Sequence, residues 1–86
     1  MSDAASILLE AAEIVGGARN ATHGDKERSF HLIASMWGAY LDHEIEPEDV
    51  AIMMVLLKAA RAKSGQPVRD HFVDMAGYAA IAGEIA

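Results

Sequence analysis

Apolar residues recur at three- and four-residue intervals in four separate blocks of the chain, and turn or cap residues punctuate the blocks. In the first, Ile7, Leu8, Ala11, Ile14 and Val15 share one face at helical spacing, with Asp3 or Ser2 to cap the start and Gly16-Gly17 as the stop. The second block predicts a helix from about Asp25, as N-cap, to about Asp42, with Phe30, Ile33, Ala34, Trp37 and Leu41 as its apolar stripe. The third begins at Pro47, a residue favoured in a first turn, and Glu48 and Asp49 complement the positive end of the helix dipole. The fourth follows the breaker "SGQP" and runs from about Val68 to the last residue. Short connections favour antiparallel neighbours, so the pattern predicts an all-α fold: one domain over residues 1–86, a four-helix antiparallel bundle with up-down-up-down topology.

The third block differs from the others. Its body, "VAIMMVLLKAA", has no polar face until Lys58, and a helix apolar on every side must be surrounded. Three short neighbours in an 86-residue domain cannot easily cover it, so a homo-oligomer is expected to complete the bundle.

Composition narrows the class further. Apolar residues make up 52% of the chain and aromatics 6%, which suits closely packed helices better than a sheet. Cysteine is absent, which removes disulfides and thiolate metal sites. The first residues lack a basic n-region, and the apolar run Val50 to Leu57 is far too short to cross a bilayer. A soluble, cytoplasmic protein with no membrane partner is therefore expected. The formal charge of −6 makes a nucleic acid an unfavourable partner.

In an up-down-up-down bundle the distribution of charge matters more than its sum. That geometry collects Arg19, Lys26, Arg28, Lys58, Arg61, Lys63 and Arg69 at one pole, and leaves Asp3, Asp42, Glu44, Glu46, Glu48, Asp49 and Glu84 at the other. Dipole matching accounts for Lys58, Arg61 and Lys63, but not for Lys26, Arg28 and Arg69, which lie in or beside first turns. An anion held at the basic pole, a nucleotide or another phosphorylated small molecule, would use Arg19, His23, Lys58 and Arg61 together with free helix N–H groups.

Among the acids, Asp74 stands at helical spacing from Ile81 within an apolar helix and needs a cation or several donors. The hairpin at residues 65 and 66 sets Lys58 opposite Asp74 and Arg61 opposite Asp70, so two ion pairs are the simplest expectation. The alternative is a magnesium site, in which Glu10, Glu13, Asp70 and Asp74 converge from facing helices. In that reading Glu10 and Asp74 are also the catalytic candidates, for metal-assisted attack of water on a phosphoanhydride. No HExxH pair, nucleophile elbow or Walker loop offers another chemistry.

The segments "EAAEIVGGARNATHGD", "F..IA..W.AYL", "EPEDVAIMMVLLKAAR" and "RDHFVDMAGYAA" together resemble small phage and prophage proteins labelled MazG-like. That resemblance implies kinship with the all-α nucleoside triphosphate pyrophosphohydrolases: helical oligomers that use Mg²⁺ to cleave a nucleoside triphosphate to monophosphate and pyrophosphate. The larger family's metal motif is an ExxE followed by an ExxD on the next helix. Glu10-Ala-Ala-Glu13 matches the first half, whereas Asp70 and Asp74 are spaced by four and lie two helices further on. Three functions remain open on the sequence: a Mg²⁺-dependent hydrolase, a non-catalytic oligomer that binds or sequesters a nucleotide, and a host-takeover module that docks on a protein.

Overall fold

The computed structural model describes residues 3–16, 23–66 and 68–86 of the chain. Four helices follow in order, α1 (Ala4–Gly16), α2 (His23–Leu41), α3 (Pro47–Ser64) and α4 (Arg69–Ile85), with no strand among the described residues. The all-α helical bundle expected from periodicity is thus the observed fold.

Local chemistry fixes most of the helix ends. Asp3 caps α1, its carboxylate accepting the Ser6 N–H at 2.8 Å, and α1 ends at Gly16. Pro47 opens α3, where the Asp49 carboxylate reaches back to accept the Glu46 N–H at 2.9 Å. Helix α2 begins at His23, so Asp25 belongs to the helix and is not its N-cap.

The turn out of α2 has a specific geometry. Asp42 adopts φ 53°, and the His43 N–H bonds to the Gly38 carbonyl at 3.0 Å, the six-to-one bond of a Schellman ending. A Cβ on Gly38 would stand 2.9 Å from the His43 carbonyl oxygen, so the chain can fold back there only over a glycine. Gly38→Ala is expected to lower stability by roughly 1–3 kcal/mol, despite the better helix propensity of alanine, because backbone and not a flexible side chain must move. Urea unfolding followed by circular dichroism measures it.

Helices α3 and α4 form the central pair. Lys58 meets Asp74 and Ala51 meets Ile81, so one helix descends as the other ascends and the two are antiparallel, as the hairpin predicts. Helix α1 breaks the alternation. Its Glu10 and Ser6 contact Arg69 at the beginning of α4, and its Val15 lies against Gly77, two turns further along α4. Residue numbers rise together on the two helices, so α1 and α4 run in the same direction. Gly77 is buried and permits the approach, since a Cβ there would sit 3.3 Å from Val15 Cγ2.

The core is small. Ala11, Ala34, Val50, Ala51, Val73, Ile81 and Ala82 are buried, and Phe30, Val15, Tyr78 and Ile85 pack on the Ala51, Ile81 and Ala82 cluster. Larger side chains assigned to stripes are less covered than their spacing suggests: Leu8 and Leu41 are mostly exposed. Helix α3 is not surrounded either, since Ile52, Met53, Leu56 and Leu57 face outward. No helix is long and apolar enough to cross a membrane, among the described residues.

Candidate ligand-binding site

Parallel docking of α1 on α4 opens a pocket of about 370 Å³ between the end of α1, the beginning of α2 and the middle of α4. Ala11, Ile14 and Val15 supply one wall from α1. Lys26, Ser29 and Phe30, spaced i, i+3 and i+4 on α2, supply the second. From α4 come Asp74 and Tyr78, one turn apart, over a floor of Val73, Gly77 and Ile81. Its walls are mostly apolar, with an ammonium, a hydroxyl, a carboxylate and a phenol at fixed points, the usual make-up of a small-molecule site.

Charges around the pocket are arranged in pairs. Lys26 Nζ lies 2.8 Å from the Glu84 carboxylate, and the lysine side chain is only 9% exposed while that of Glu84 is 38% exposed. Lys58 Nζ lies 3.0 Å from Asp74, both partly sheltered. Arg69 pairs with Glu10 and also reaches the Ser6 hydroxyl. Pairs with this much solvent contact each contribute at most about 1 kcal/mol, so their larger role is to hold side chains in place.

These pairs correct the expected charge map. Lys26 meets Glu84 at the end of α4, and Arg69 meets Glu10 at its beginning. Fifteen residues of helix separate the two positions, about 22 Å at the α-helical rise. Cations therefore stand at both ends of α4, and Glu84 does not occupy a cation-free pole. The assumption that failed was strict alternation of helix direction.

The carboxylates do not converge. Glu10 is held by Arg69 and Asp74 by Lys58, while Glu13 and Asp70 are exposed on the surface. Among the described residues, no three acids or histidines stand close enough to share a metal ion. Two of the four residues expected as Mg²⁺ ligands, Glu10 and Asp74, are thus engaged in ion pairs. Of the expected anion ligands, Lys58 reaches the pocket through Asp74, whereas Arg61 is exposed and does not pair with Asp70. Arg19 and the His23 side chain lie outside the described residues. Asp74 is half-buried, with its charge answered by Lys58.

Lys26, Ser29 and Tyr78 had no place in the residue set read from sequence. The signal was present in spacing: Lys26 and Ser29 share a helical face with Phe30, and Tyr78 shares one with Asp74. What sequence could not supply was that these two faces look at each other.

Beyond the Ala51, Ile81 and Ala82 cluster, Glu44, Glu46, Glu48 and Asp49 crowd the start of α3. The hydrogen bond and negative charge of Glu44 push the Glu46 carboxyl above its ordinary range, with smaller contributions from Glu48 and Asp49. That cluster offers an anion no welcome.

Residues 6–86 match the family described as "Domain of unknown function (DUF6378)", and the chain belongs to that family. It is 47% identical over 77 residues to the Gene 55 protein of Mycobacterium phage L5, and 46% identical over 74 residues to the Gene 55 protein of Mycobacterium phage D29. Those alignments cover 88% and 86% of this chain but 49% of each relative, so the chain spans about half the length of the curated phage proteins it matches. No solved structure matches it.

Proposed function

We propose that this phage-type domain binds a small molecule with a flat or apolar body and an anionic head, a nucleotide being the working class, and does not hydrolyse it. One observation carries the reading: one pocket combines the aromatic side chains of Phe30 and Tyr78 with the nearly buried side chain of Lys26. A base or other flat ring would lie against Phe30 and Tyr78, and a phosphate would take Lys26. Glu84 is the counter-ion that such a phosphate replaces. It occupies the last turn of α4, where the helix dipole disfavours a carboxylate, and it is the more exposed member of its pair. Lys58, Asp74 and Ser29 supply fixed polar contacts on the remaining edge.

The resemblance to MazG-like proteins supports the choice of nucleotide. The non-catalytic reading is preferred to the hydrolase because Glu10 and Asp74 are each engaged by a cation, Arg69 and Lys58, and Glu13 and Asp70 lie exposed. Incubation with a panel of nucleoside mono-, di- and triphosphates, with and without Mg²⁺, separates the readings. Thermal stabilisation by one member without release of pyrophosphate is the expected result. Pyrophosphate release restores the hydrolase reading; absence of binding by the whole panel removes the nucleotide.

A further inference from the structure

The molecule is too thin and too open for its mass. Its accessible surface is 5961 Å², whereas a compact monomer of 9.2 kDa exposes about 4,900 Å² by the usual mass scaling, an excess of about 1,000 Å². The radius of gyration is 13.7 Å, against about 12 Å for a compact chain of this length, and the shortest dimension is 18 Å, room for two helix layers.

Much of the uncovered apolar surface gathers on one side. On α2, Leu32, Met36 and Tyr40 are 61%, 63% and 89% exposed at intervals of four. On α3, Ile52, Met53, Leu56 and Leu57 form a second exposed stripe. Tyr40 and Met53 share an apolar hollow with Trp37 and Leu41, so the two stripes join into one surface. No Asp, Glu, Lys or Arg occurs from Ser29 to Leu41 or from Val50 to Leu57. For a chain of charge −6, these two stripes carry no like charge within themselves to repel a second copy, the acids standing at their border.

We infer that the α2–α3 face is the contact between two copies of this chain, a homodimer in which each covers the other's Met36, Tyr40 and Leu56. The occupant is a second copy because the missing burial matches what one supplies: a stable contact removes about 800 Å² per partner, close to the excess surface. An uncharged surface also gives a charged partner nothing to pair with. The expected homo-oligomer thereby acquires a definite face, and that face leaves the pocket residues of α1 and α4 outside the contact.

Size-exclusion chromatography with light scattering tests it on the whole chain. The expected mass is twice 9.2 kDa at tens of micromolar. Leu56→Glu and Met36→Glu each alter an exposed side chain and are expected to weaken association at least tenfold with helical circular dichroism retained. Leu9→Glu, on the exposed side of α1, is expected to leave the dimer intact. A monomer throughout the micromolar range, a mass other than the dimer's, or a dimer that survives both α2 and α3 substitutions overturns the inference. Should one face variant lose helicity, the other decides.

Discussion

Ala51→Asp is expected to unfold the domain at neutral pH. Ala51 is fully buried in α3, in contact with Ile81 and Ala82 of α4, and the side chains packed over that cluster are Val15, Phe30, Tyr78 and Ile85. A carboxylate there would have no cation in the cluster and would have to take up a proton to remain buried. Full burial raises an acid's pKa by up to about 3–5 units, and protonating an aspartate at neutral pH against its ordinary pKa near 4 costs about 4 kcal/mol. A chain of this length has roughly 4–13 kcal/mol of stability in total, so one substitution consumes much or all of it. Loss of helical circular dichroism in buffer checks the prediction. Leu56→Glu, five residues further on the same helix and 63% exposed, is the comparison that keeps its fold. Retained structure in the Ala51 variant would mean that α3 does not pack on α4 as described.

The second large effect concerns the ligand. Lys26→Met is expected to cut nucleotide affinity by about 10- to 100-fold, the range for losing one charge-assisted hydrogen bond. Met preserves the apolar stem that lies in the pocket wall, and the Glu84 side chain is 38% exposed and so within reach of water, so the fold survives. Glu84→Gln acts in the opposite direction. It removes the competitor for the ammonium and should raise affinity severalfold, most clearly at low salt. Lys58→Met is expected to have the smaller effect, because Lys58 bears on the pocket only through Asp74. Calorimetry on the three variants gives the order. Equal affinity in Lys26→Met and the parent protein would displace the anion from that position.

The helices were legible because each boundary has a local chemical cause. Gly16, Pro47 and the run Ser64 to Gln66 act on the backbone within a turn or two, and a sequence displays such signals directly. The Lys58–Asp74 pair was legible for a related reason: a short hairpin fixes the register of its two arms. The relation of α1 to α4 was not. These helices are separated by most of the chain, and their direction is set by Val15 meeting Gly77 and Glu10 meeting Arg69, contacts that no local pattern encodes. The expected poles of charge depended on that direction and changed with it. Asp74 kept its importance, while Lys26, Ser29 and Tyr78 entered the site only through three-dimensional proximity.

The same-direction docking of α1 on α4 also shapes the order in which the domain assembles. Helices α3 and α4 close a loop of only a few residues and can associate early, whereas α1 must find α4 across more than fifty positions of chain. Two of the three pocket walls, those from α1 and α2, come from outside that early hairpin. The cavity is complete only once α1 and α2 have docked, so a molecule bound in it would act as a clasp on α1, slowing its release more than fraying of the α3–α4 hairpin.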